Sequence, residues 1–264
     1  MQLIQGSTRL EDFLHSVACA PERLLLLDYD GTLAPFVAER ESAYPYPDVT
    51  ELIGAIGRCA QTHVAIVTGR RATDIPRLLP AHPMPEIWGS HGLERLWPDG
   101  NYVRPELPGE TQAALASAFQ FLQMEGLNRQ VECKPGSIAV HWRDLSQNAR
   151  EEVAEIASRT FSLFAAGVGL EQIAFDGGLE LRTMLANKGK VVREILAEHR
   201  EDAAVCYLGD DPTDEDAFRV IGGRGLGILV RPSYRETSAE VWLKPPDEVI
   251  AFLETWIEIT GGVQ

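Results

Sequence analysis

Two short acidic stretches carry side chains that could bind a cation and take part in catalysis. The first is the string DYDGT at 28–32, which places Asp28 and Asp30 two residues apart beside a glycine. Carboxylates at this spacing on a turn can hold a hard divalent cation through oxygen. One of them can also attack an electrophile while its neighbour transfers a proton. An ordinary Asp-Gly turn has the same appearance, so this stretch is informative mainly in combination with others.

The second stretch is the string GDDPTDED at 209–216, in which five of eight residues are acidic. Packing so many carboxylates at one strand end costs electrostatic repulsion unless a cation compensates for it. Asp214 and the acidic residues after it could instead suit the positive end of a helix dipole. We therefore assign Asp210 and Asp211 to metal binding. Neither stretch has the Gly and Glu positions of a calcium-binding helix–loop–helix.

A hydroxyl group and a lysine complete a candidate phosphate site. Thr68, followed by Gly69 and Arg70, ends the apolar run VAIV, where a hydroxyl and backbone amides can hold phosphate oxygens. A helix N-cap explains Thr68 equally well. Lys188, one of only four lysines, begins a predicted helix in the string NKGK. Because a cation is unfavourable at a helix start, a functional role gains weight over that of a solvated lysine.

These residues need secondary structure elements that bring strand ends together. Apolar runs predict buried strands, and apolar periodicity predicts helices between them. The strands are expected at 24–28, 63–67, 204–208 and 227–230, and the helices at 47–60, 71–79, 188–197, 213–220 and 247–258. Residues 87–96 are expected to form a strand and a turn, followed by a hairpin around Asp99 and Gly100. This alternation predicts an α/β fold with a mainly parallel sheet, whose ligands bind at the carboxyl ends of strands.

The pattern changes in the middle of the chain. Helices predicted at 109–124 and 147–164 are each followed by a pair of short strands, at 130–133 with 138–142 and at 172–175 with 179–182. We therefore predict a discontinuous Rossmann-like core, residues 1–105 and 183–264, that is interrupted by an inserted α+β domain at 106–182. The two-residue period of a strand predicts three pairs of side chains on shared faces: Glu132 with Lys134, Glu180 with Arg182, and His141 with Arg143. A solvated sheet face remains the alternative for each pair.

Composition narrows the function classes. The 264 residues include 24 basic and 39 acidic residues and carry a formal charge of −15, which disfavours a nucleic-acid partner. No apolar run approaches the roughly 18 residues of a membrane span, and the N-terminal residues are too polar and acidic for a signal peptide. Four cysteines without a C-x-x-C spacing are typical of reduced thiols. We expect a cytoplasmic monomer with no membrane partner.

The strings DYDGT, VTGR, NKGK and GDDPTDED, in this order, resemble the motifs of the haloacid dehalogenase (HAD) superfamily of aspartate-nucleophile phosphatases. Within it, LLLLDYDGTLAPF, GSHGLE, KPGSIAVHWR and YLGDDPTDEDAF are most similar to the trehalose-6-phosphate phosphatases. In that family the inserted unit is a cap over the active site. The resemblance implies Mg²⁺-dependent hydrolysis of a small-molecule sugar phosphate, trehalose 6-phosphate, through an aspartyl-phosphate. It also raises the possibility of a trehalose-phosphate synthase partner on a separate chain.

The resemblance also implies roles for individual residues. Asp28 would be the nucleophile and Asp30 the general acid/base, with both on Mg²⁺, Asp30 through its backbone carbonyl. Thr68 and Lys188 would hold the phosphoryl group. Asp210 would be the second carboxylate ligand of the metal, and Asp211 and Asp214 would be secondary ligands or orienters of metal-bound water. The implied substrate-contacting set comprises Gly69, Arg70, His91, Glu132, Lys134, Ser137, Arg143, Glu180 and Asp214.

Three alternatives remain open. The first is a HAD phosphatase for glucosyl- or mannosyl-3-phosphoglycerate or sucrose phosphate. A glycerate carboxylate would call for additional basic residues in the insertion, and residues 106–181 contain five. The second is a signalling receiver module, which has no reason for such an insertion. The third is a catalytically inactive relative that senses a ligand, against which the presence of every motif residue argues.

Overall fold

The computed structural model describes residues 2–3, 7–37, 39–175 and 177–261. The chain groups into two compact units, Met1–Val103 with Lys188–Gln264, and Arg104–Asn187. Thr183 and Met184 belong to the second unit because their amides donate to the carbonyls of Gly136 and Gly169. The boundaries at 105 and 182, as limits of independently folding domains, stay a prediction.

We number the strands and helices along the chain. The strands are β1 Gln2–Leu3, β2 Arg23–Leu27, β3 Thr62–Val67, β4 Glu86–Gly89, β5 Glu94–Leu96, β6 Tyr102–Val103, β7 Val131–Lys134, β8 Ser137–His141, β9 Leu170–Phe175, β10 Gly178–Thr183, β11 Ala204–Gly209, β12 Leu226–Val230 and β13 Val241–Leu243. The helices are α1 Ser7–Cys19, α2 Val49–Arg58, α3 Ile75–Leu78, α4 Gly109–Met124, α5 Gln147–Ala165, α6 Lys188–Glu198, α7 Glu215–Ile221 and α8 Asp247–Ile259.

A mixed, mostly parallel sheet forms the centre of the first unit. Within the described ranges its strand order is β1-β13-β12-β11-β2-β3-β4-β5-β6. The inner strands from β13 to β4 run parallel, and β1, β5 and β6 are antiparallel additions at the two edges. This arrangement confirms the predicted α/β class with a mainly parallel sheet.

Strand β2 shows why an uninterrupted apolar run belongs at the centre of such a sheet. Leu25 and Leu27 pack into the core on one face, with residues of α1, α2 and α8. Leu24 and Leu26 pack into the core on the opposite face, with residues of α6 and α7. All four are fully buried, as expected for a strand covered by helices on both faces.

Some predicted elements differ in form. The sequence predicts one helix over 71–79, but these residues form a 3₁₀ turn at Ala72–Asp74 and the short helix α3. Pro76 fits only near the helix start, and Pro80 disfavours helical backbone at the residue before it, so α3 cannot extend. The helix predicted at 213–220 is likewise divided into a 3₁₀ turn at Pro212–Asp214 and α7. Helix α1 and strands β1 and β13 are additional to the predicted elements.

The second unit contains a four-stranded antiparallel sheet in the order β7-β8-β10-β9. On one face, Ile138, Val140 and Leu181 pack against residues of α4 and α5. The strand period therefore places the alternate, polar residues on the opposite face. Throughout the described residues, none of the helices combines the length and apolar character needed to cross a bilayer.

Candidate active site

The two acidic stretches meet because β2 and β11 are neighbours in the parallel sheet. Leu27 lies opposite Leu208 in the register, and the amide of Asp28 donates to the carbonyl of Leu208 at 2.8 Å. The carboxyl ends of the two strands therefore place Asp28 and Asp210 at one edge of the sheet. One oxygen of Asp28, one of Asp210 and one of Asp214 all lie within 4.8 Å of one another, and the three residues are buried.

Lys188, at the first position of α6, supplies a buried positive charge to this cluster. Its Nζ lies 2.9 Å from Asp28 Oδ1 and 2.7 Å from Asp214 Oδ1. Burial alone would lower the pKa of Lys188, but the carboxylates of Asp214 and Asp28 raise it above its usual value. The side chain is therefore an ammonium ion, and these contacts explain a cation at a helix start that the dipole would otherwise disfavour.

The carboxylates outnumber this ammonium group. Burial raises the pKa of Asp28 to about 7 against the attraction of Lys188, and Asp214 and Asp30 raise it as well. Burial and the charges of Asp28, Asp214 and Asp211 raise the pKa of Asp210 well above its usual value. A further positive charge at this edge would stabilise the ionised forms.

A divalent cation fits the residues present. Asp210 Oδ1 is buried and has no hydrogen-bond partner among the described residues. A Cβ atom at Gly31, whose φ is 79°, would collide with the carboxylate of Asp210, so only glycine allows this close approach. Oxygen ligands of this kind suit hard cations. Asp28 and Asp210 are accordingly the side chains that could hold the ion.

Asp214 and Asp211 have other hydrogen bonds. Asp214 Oδ1 accepts from Lys188 Nζ and, at 2.6 Å, from the hydroxyl of Tyr207. Its Oδ2 accepts from the amides of Asp210 at 3.1 Å and Asp211 at 2.9 Å. Asp211 Oδ1 accepts from the amide of Thr213 at 3.0 Å in a reciprocal capping arrangement. These bonds make Asp214 an organiser of the loop, and a direct metal or substrate contact by either residue stays a prediction.

Asp30 forms a bidentate ion pair with Arg70. Arg70 Nε donates to Asp30 Oδ2 at 2.7 Å and its Nη2 donates to Oδ1 at 2.6 Å. The remaining Nη1 donates to the carbonyl of Arg40 at 2.7 Å. The guanidinium also lies over the ring of Tyr29, 5.4 Å from its centroid. The structure thus places Arg70, expected to contact substrate, on the side chain expected to transfer protons.

Thr68 and His91 lie together at the ends of neighbouring strands β3 and β4. The amide of His91 donates to the carbonyl of Thr68 at 2.9 Å, and a Cβ at Gly69 would lie 2.7 Å from the His91 ring. Ser90 and His91 both adopt left-handed backbone, with φ of 48° and 55°. Such backbone is costly for residues other than glycine and is often found at functional sites. Here it holds the imidazole against the backbone of Gly69.

The predicted polar residues of the second unit share one sheet face. Lys134 Nζ lies 2.6 Å from Glu180 Oε1, and Ser137 Oγ donates to the same oxygen at 2.6 Å. Glu132 lies near its strand neighbour, with Oε2 3.0 Å from Nε2 of His141. Ser137 and Glu180 are buried. The structure thus brings Lys134, Ser137 and Glu180 into contact through a shared carboxylate.

Arg143 has a different position from the one expected. Strand β8 ends at His141, so the two-residue period does not extend to Arg143. Its side chain instead packs on the turn between β9 and β10, where a Cβ at Gly177 would lie 2.9 Å from Arg143 Cβ. A contact of Arg143 with substrate remains a prediction.

Several polar residues near the site are not identified from the sequence. Tyr207 is hidden inside the apolar run of β11, where a tyrosine looks like any core residue. Glu94 is buried and accepts from Ser90 Oγ at 2.5 Å, and thus supports the left-handed turn that carries His91. Arg231 and Arg235 hydrogen-bond to the loop that contains Asp210. The sequence feature that could have indicated Arg231 and Arg235 is the occurrence of two arginines close together after a buried strand in an acidic chain.

Comparisons with known proteins support one family. A family model described as Trehalose-phosphatase matches residues 26–245. The chain is 29% identical over 271 residues to the probable trehalose-phosphate phosphatase H of Arabidopsis thaliana, covering 94% of this chain and 75% of that protein. It is 33% identical over 250 residues to the trehalose-phosphate phosphatase of Mycobacterium marinum, covering 88% of this chain and 60% of that one. The chain thus spans less than two-thirds of the mycobacterial relative.

Solved structures share the fold. The C-terminal domain of the Candida albicans trehalose-6-phosphate phosphatase superposes with a TM-score of 0.79 at 21% identity, covering 99% of both chains. A haloacid dehalogenase-like hydrolase from B. subtilis gives a TM-score of 0.61 at 13% identity, covering 88% of this chain and 99% of that one. At these identities the superpositions show the fold, and the family follows from the model matched over residues 26–245: the chain belongs to the trehalose-phosphatase family of hydrolases.

Proposed function

We propose that this protein is a Mg²⁺-dependent phosphatase that hydrolyses trehalose 6-phosphate to trehalose and phosphate. The observation that carries the chemistry is the buried cluster of Asp28, Asp210 and Lys188 at the carboxyl ends of β2 and β11. The family match and the names of the relatives from Arabidopsis thaliana and Mycobacterium marinum support the substrate.

Asp28 is the proposed nucleophile. Its carboxylate forms a bond to phosphorus, the bond from phosphorus to the sugar oxygen breaks, and an aspartyl-phosphate results. Lys188 Nζ, 2.9 Å from Asp28 Oδ1, orients the carboxylate and lies beside the position where phosphoryl oxygens would gather negative charge. Thr68, buried at the end of β3, is proposed to hold a phosphoryl oxygen.

Asp30 is the proposed acid and base. It donates a proton to the leaving sugar oxygen, then takes one from the water that attacks the aspartyl-phosphate and releases Asp28. In this structure both of its oxygens accept from Arg70. Each oxygen keeps a second lone pair for the transferred proton, and Arg70 is proposed as a positioning residue that orients the Asp30 carboxylate.

Mg²⁺ would be held by the side chains of Asp28 and Asp210 and by the backbone carbonyl of Asp30. When bound, it supplies positive charge that offsets the repulsion between a carboxylate nucleophile and a phosphate dianion. Asp211 is proposed as a secondary ligand or as an orienter of water bound to the ion. The excess of buried carboxylates over ammonium groups is the structural support for this ion.

Recognition of the sugar is proposed for the second unit, as its cap role in the family implies. A disaccharide presents many hydroxyl groups, and each needs a hydrogen-bond partner once it leaves water. Lys134, Ser137 and Glu180 offer donors and acceptors already fixed by mutual contacts. Glu132 adds a carboxylate held beside His141 on the same sheet face.

Removal of divalent metal should silence the enzyme. We expect phosphate release from trehalose 6-phosphate to fall to background in excess chelator and to return when Mg²⁺ is added in excess. The reason is that Asp28 and Asp210 would then repel both each other and the substrate. Phosphate release is measured without chelator, in excess chelator, and again after Mg²⁺ is added in excess. Full activity in excess chelator would reject the metal site while leaving the family assignment unchanged.

Substitutions in the second unit should separate sugar recognition from phosphate chemistry. Glu132→Ala, Lys134→Ala or Glu180→Ala should each lower kcat/KM for trehalose 6-phosphate by about 10–100-fold, since a buried charge-assisted hydrogen bond contributes roughly 1.5–3 kcal/mol. Hydrolysis of a small aryl phosphate should change little. Glu155→Ala, an exposed position on α5, is the matched control.

The substrate itself is tested on a panel. Trehalose 6-phosphate should exceed glucose 6-phosphate, which carries the same reacting group but lacks a second glucose, and also sucrose phosphate and the glycosyl-3-phosphoglycerates. Equal hydrolysis of trehalose 6-phosphate and glucose 6-phosphate would reject the trehalose assignment. The assignment would also be rejected if Glu132→Ala, Lys134→Ala and Glu180→Ala lowered kcat/KM for the aryl phosphate as much as for trehalose 6-phosphate.

A further inference from the structure

The peptide that joins Asp210 to Asp211 is held from both sides. Its own amide, that of Asp211, and the preceding amide, that of Asp210, donate to Asp214 Oδ2 at 2.9 and 3.1 Å. On the other side, Arg235 donates from Nε to the carbonyl of Asp210 at 3.2 Å and from Nη2 to the carbonyl of Asp211 at 3.0 Å. Arg231 Nη1 adds a third contact, 3.3 Å from the Asp210 carbonyl. This loop therefore has little freedom to reorient.

Arg235 is itself fixed in place. Its Nη1 donates to the carbonyl of Glu236 at 2.9 Å and pairs with the carboxylate of Glu215, the first residue of α7. Glu215 in turn accepts from the hydroxyl of Thr237 and the amide of Ser238, each at 2.8 Å. The segment after β12 is thus tied to the start of α7. Arg235 thus contacts its partners from three separate nitrogens held in one plane, an arrangement that the single nitrogen of a lysine does not reproduce.

The two arginines add positive charge without occupying the oxygen that a cation would need. Arg231 Nη1 lies 3.9 Å from Asp210 Oδ2. The opposite oxygen, Asp210 Oδ1, is buried and has no hydrogen-bond partner within the part of the chain that the structure describes. The guanidinium groups therefore reduce the electrostatic repulsion among the carboxylates. They do so without contacting Asp210 Oδ1, which stays available to a cation.

We propose that Arg235, assisted by Arg231, is a positioning residue that holds Asp210 ready for a divalent cation and so sets the metal affinity of the site. This inference rests on the proposed metal-dependent function. Arg235 touches the backbone carbonyls of Asp210 and Asp211 and would act on the metal only through the loop that carries these two residues. Groups that orient metal ligands commonly change metal affinity by about 10–100-fold when they are removed.

The test measures Mg²⁺ binding directly, by calorimetry on the substrate-free chain, and in parallel the Mg²⁺ dependence of phosphate release. Arg235→Gln should weaken Mg²⁺ binding by about 10–100-fold, while turnover at saturating Mg²⁺ stays close to that of the wild type. Arg235→Lys should recover only a small part of the affinity, because one nitrogen cannot reproduce contacts that the guanidinium makes from three nitrogens in a rigid plane. Arg219→Gln, which removes an exposed arginine of α7 paired with Asp216, should bind Mg²⁺ like the wild type.

The outcomes separate this inference from the proposed function. If wild-type protein binds no Mg²⁺ and is active in chelator, the metal-dependent function fails and the inference fails with it. If the wild type binds Mg²⁺ but Arg235→Gln binds it equally well, or Arg219→Gln weakens it as much, the inference alone is overturned. Should thermal unfolding in chelator show that Arg235→Gln is not folded, Arg231→Gln takes its place. It should weaken Mg²⁺ binding in the same direction, and unchanged binding would overturn the inference.

Discussion

Replacing Asp28 by asparagine should abolish turnover of every phosphate ester, with a loss on the order of 10⁴-fold or more. An amide oxygen does not attack phosphorus, whereas the surrounding geometry survives the exchange. The side-chain carbonyl of the new amide can still accept a hydrogen bond from Lys188 Nζ, which lies 2.9 Å from Asp28 Oδ1 in the native protein. The measurement is phosphate release at saturating Mg²⁺, with trehalose 6-phosphate and with a small aryl phosphate.

Stability distinguishes loss of chemistry from loss of the fold in this variant. Burial and nearby carboxylates raise the pKa of Asp28 to about 7, so a neutral side chain at this position relieves repulsion. The free energy of unfolding should therefore stay at or above the wild-type value in chelator. Asp202→Asn, at an exposed aspartate paired with Arg200, is the control that should leave turnover unchanged. Near-normal turnover by Asp28→Asn would exclude Asp28 as the nucleophile.

Replacing Lys188 by methionine should damage both catalysis and stability. The lysine is 2% exposed and its ammonium group contacts Asp28 and Asp214, so its removal leaves two buried carboxylates without their partner. Breaking a buried ion pair in this way costs about 3–5 kcal/mol of unfolding free energy. Removing one preorganised charge from a phosphoryl site should lower kcat by roughly 10²–10³-fold. The loss should appear with trehalose 6-phosphate and with aryl phosphate alike, because both share the phosphoryl group.

The stability loss at Lys188 should depend on pH. Without the ammonium group, the folded-state pKa values of Asp28 and Asp210, which Lys188 lowers, rise further above those of the unfolded chain, so the folded state binds more protons. Stability then falls as pH rises, and the difference from wild type in chelator should be larger at about pH 8 than at about pH 5.5. Chemical denaturation at the two pH values measures it. Lys190→Met, at an exposed position of the same helix, is the matched control. Wild-type turnover by Lys188→Met would show that Lys188 takes no part in catalysis.

The sequence by itself determined the fold class and the motifs. The run at 24–27 could be interpreted as a buried strand because all four leucines are apolar, so either face could meet a helix. The order of DYDGT, VTGR, NKGK and GDDPTDED carried the family resemblance, since each motif sits at a strand end or helix start. The polar face of the second unit followed from the two-residue period of its strands, which is a local property of the chain.

Side-chain partners were decided only by the tertiary structure. Asp28 and Asp210 meet because β2 and β11 are neighbours, and strand order is not a local property of either segment. Arg70 lies 40 residues from Asp30 in the chain, yet its Nε and Nη2 atoms both donate to that carboxylate. In the second unit, Lys134 of β7 reaches Glu180 of β10 across the intervening strand β8.

The same reason explains the residues that the sequence did not reveal. Arg235 bonds to carbonyls 24 and 25 residues away, and a backbone carbonyl carries no side-chain signature that a motif could display. Tyr207 looks like a core residue of β11, and its hydroxyl acquires a role only when the fold turns Asp214 back toward it. Residue types and local periods thus fixed which groups were available for chemistry, whereas their pairing depended on long-range packing, because hydrogen bonds and ion pairs form only between groups that the fold brings to within about 3 Å.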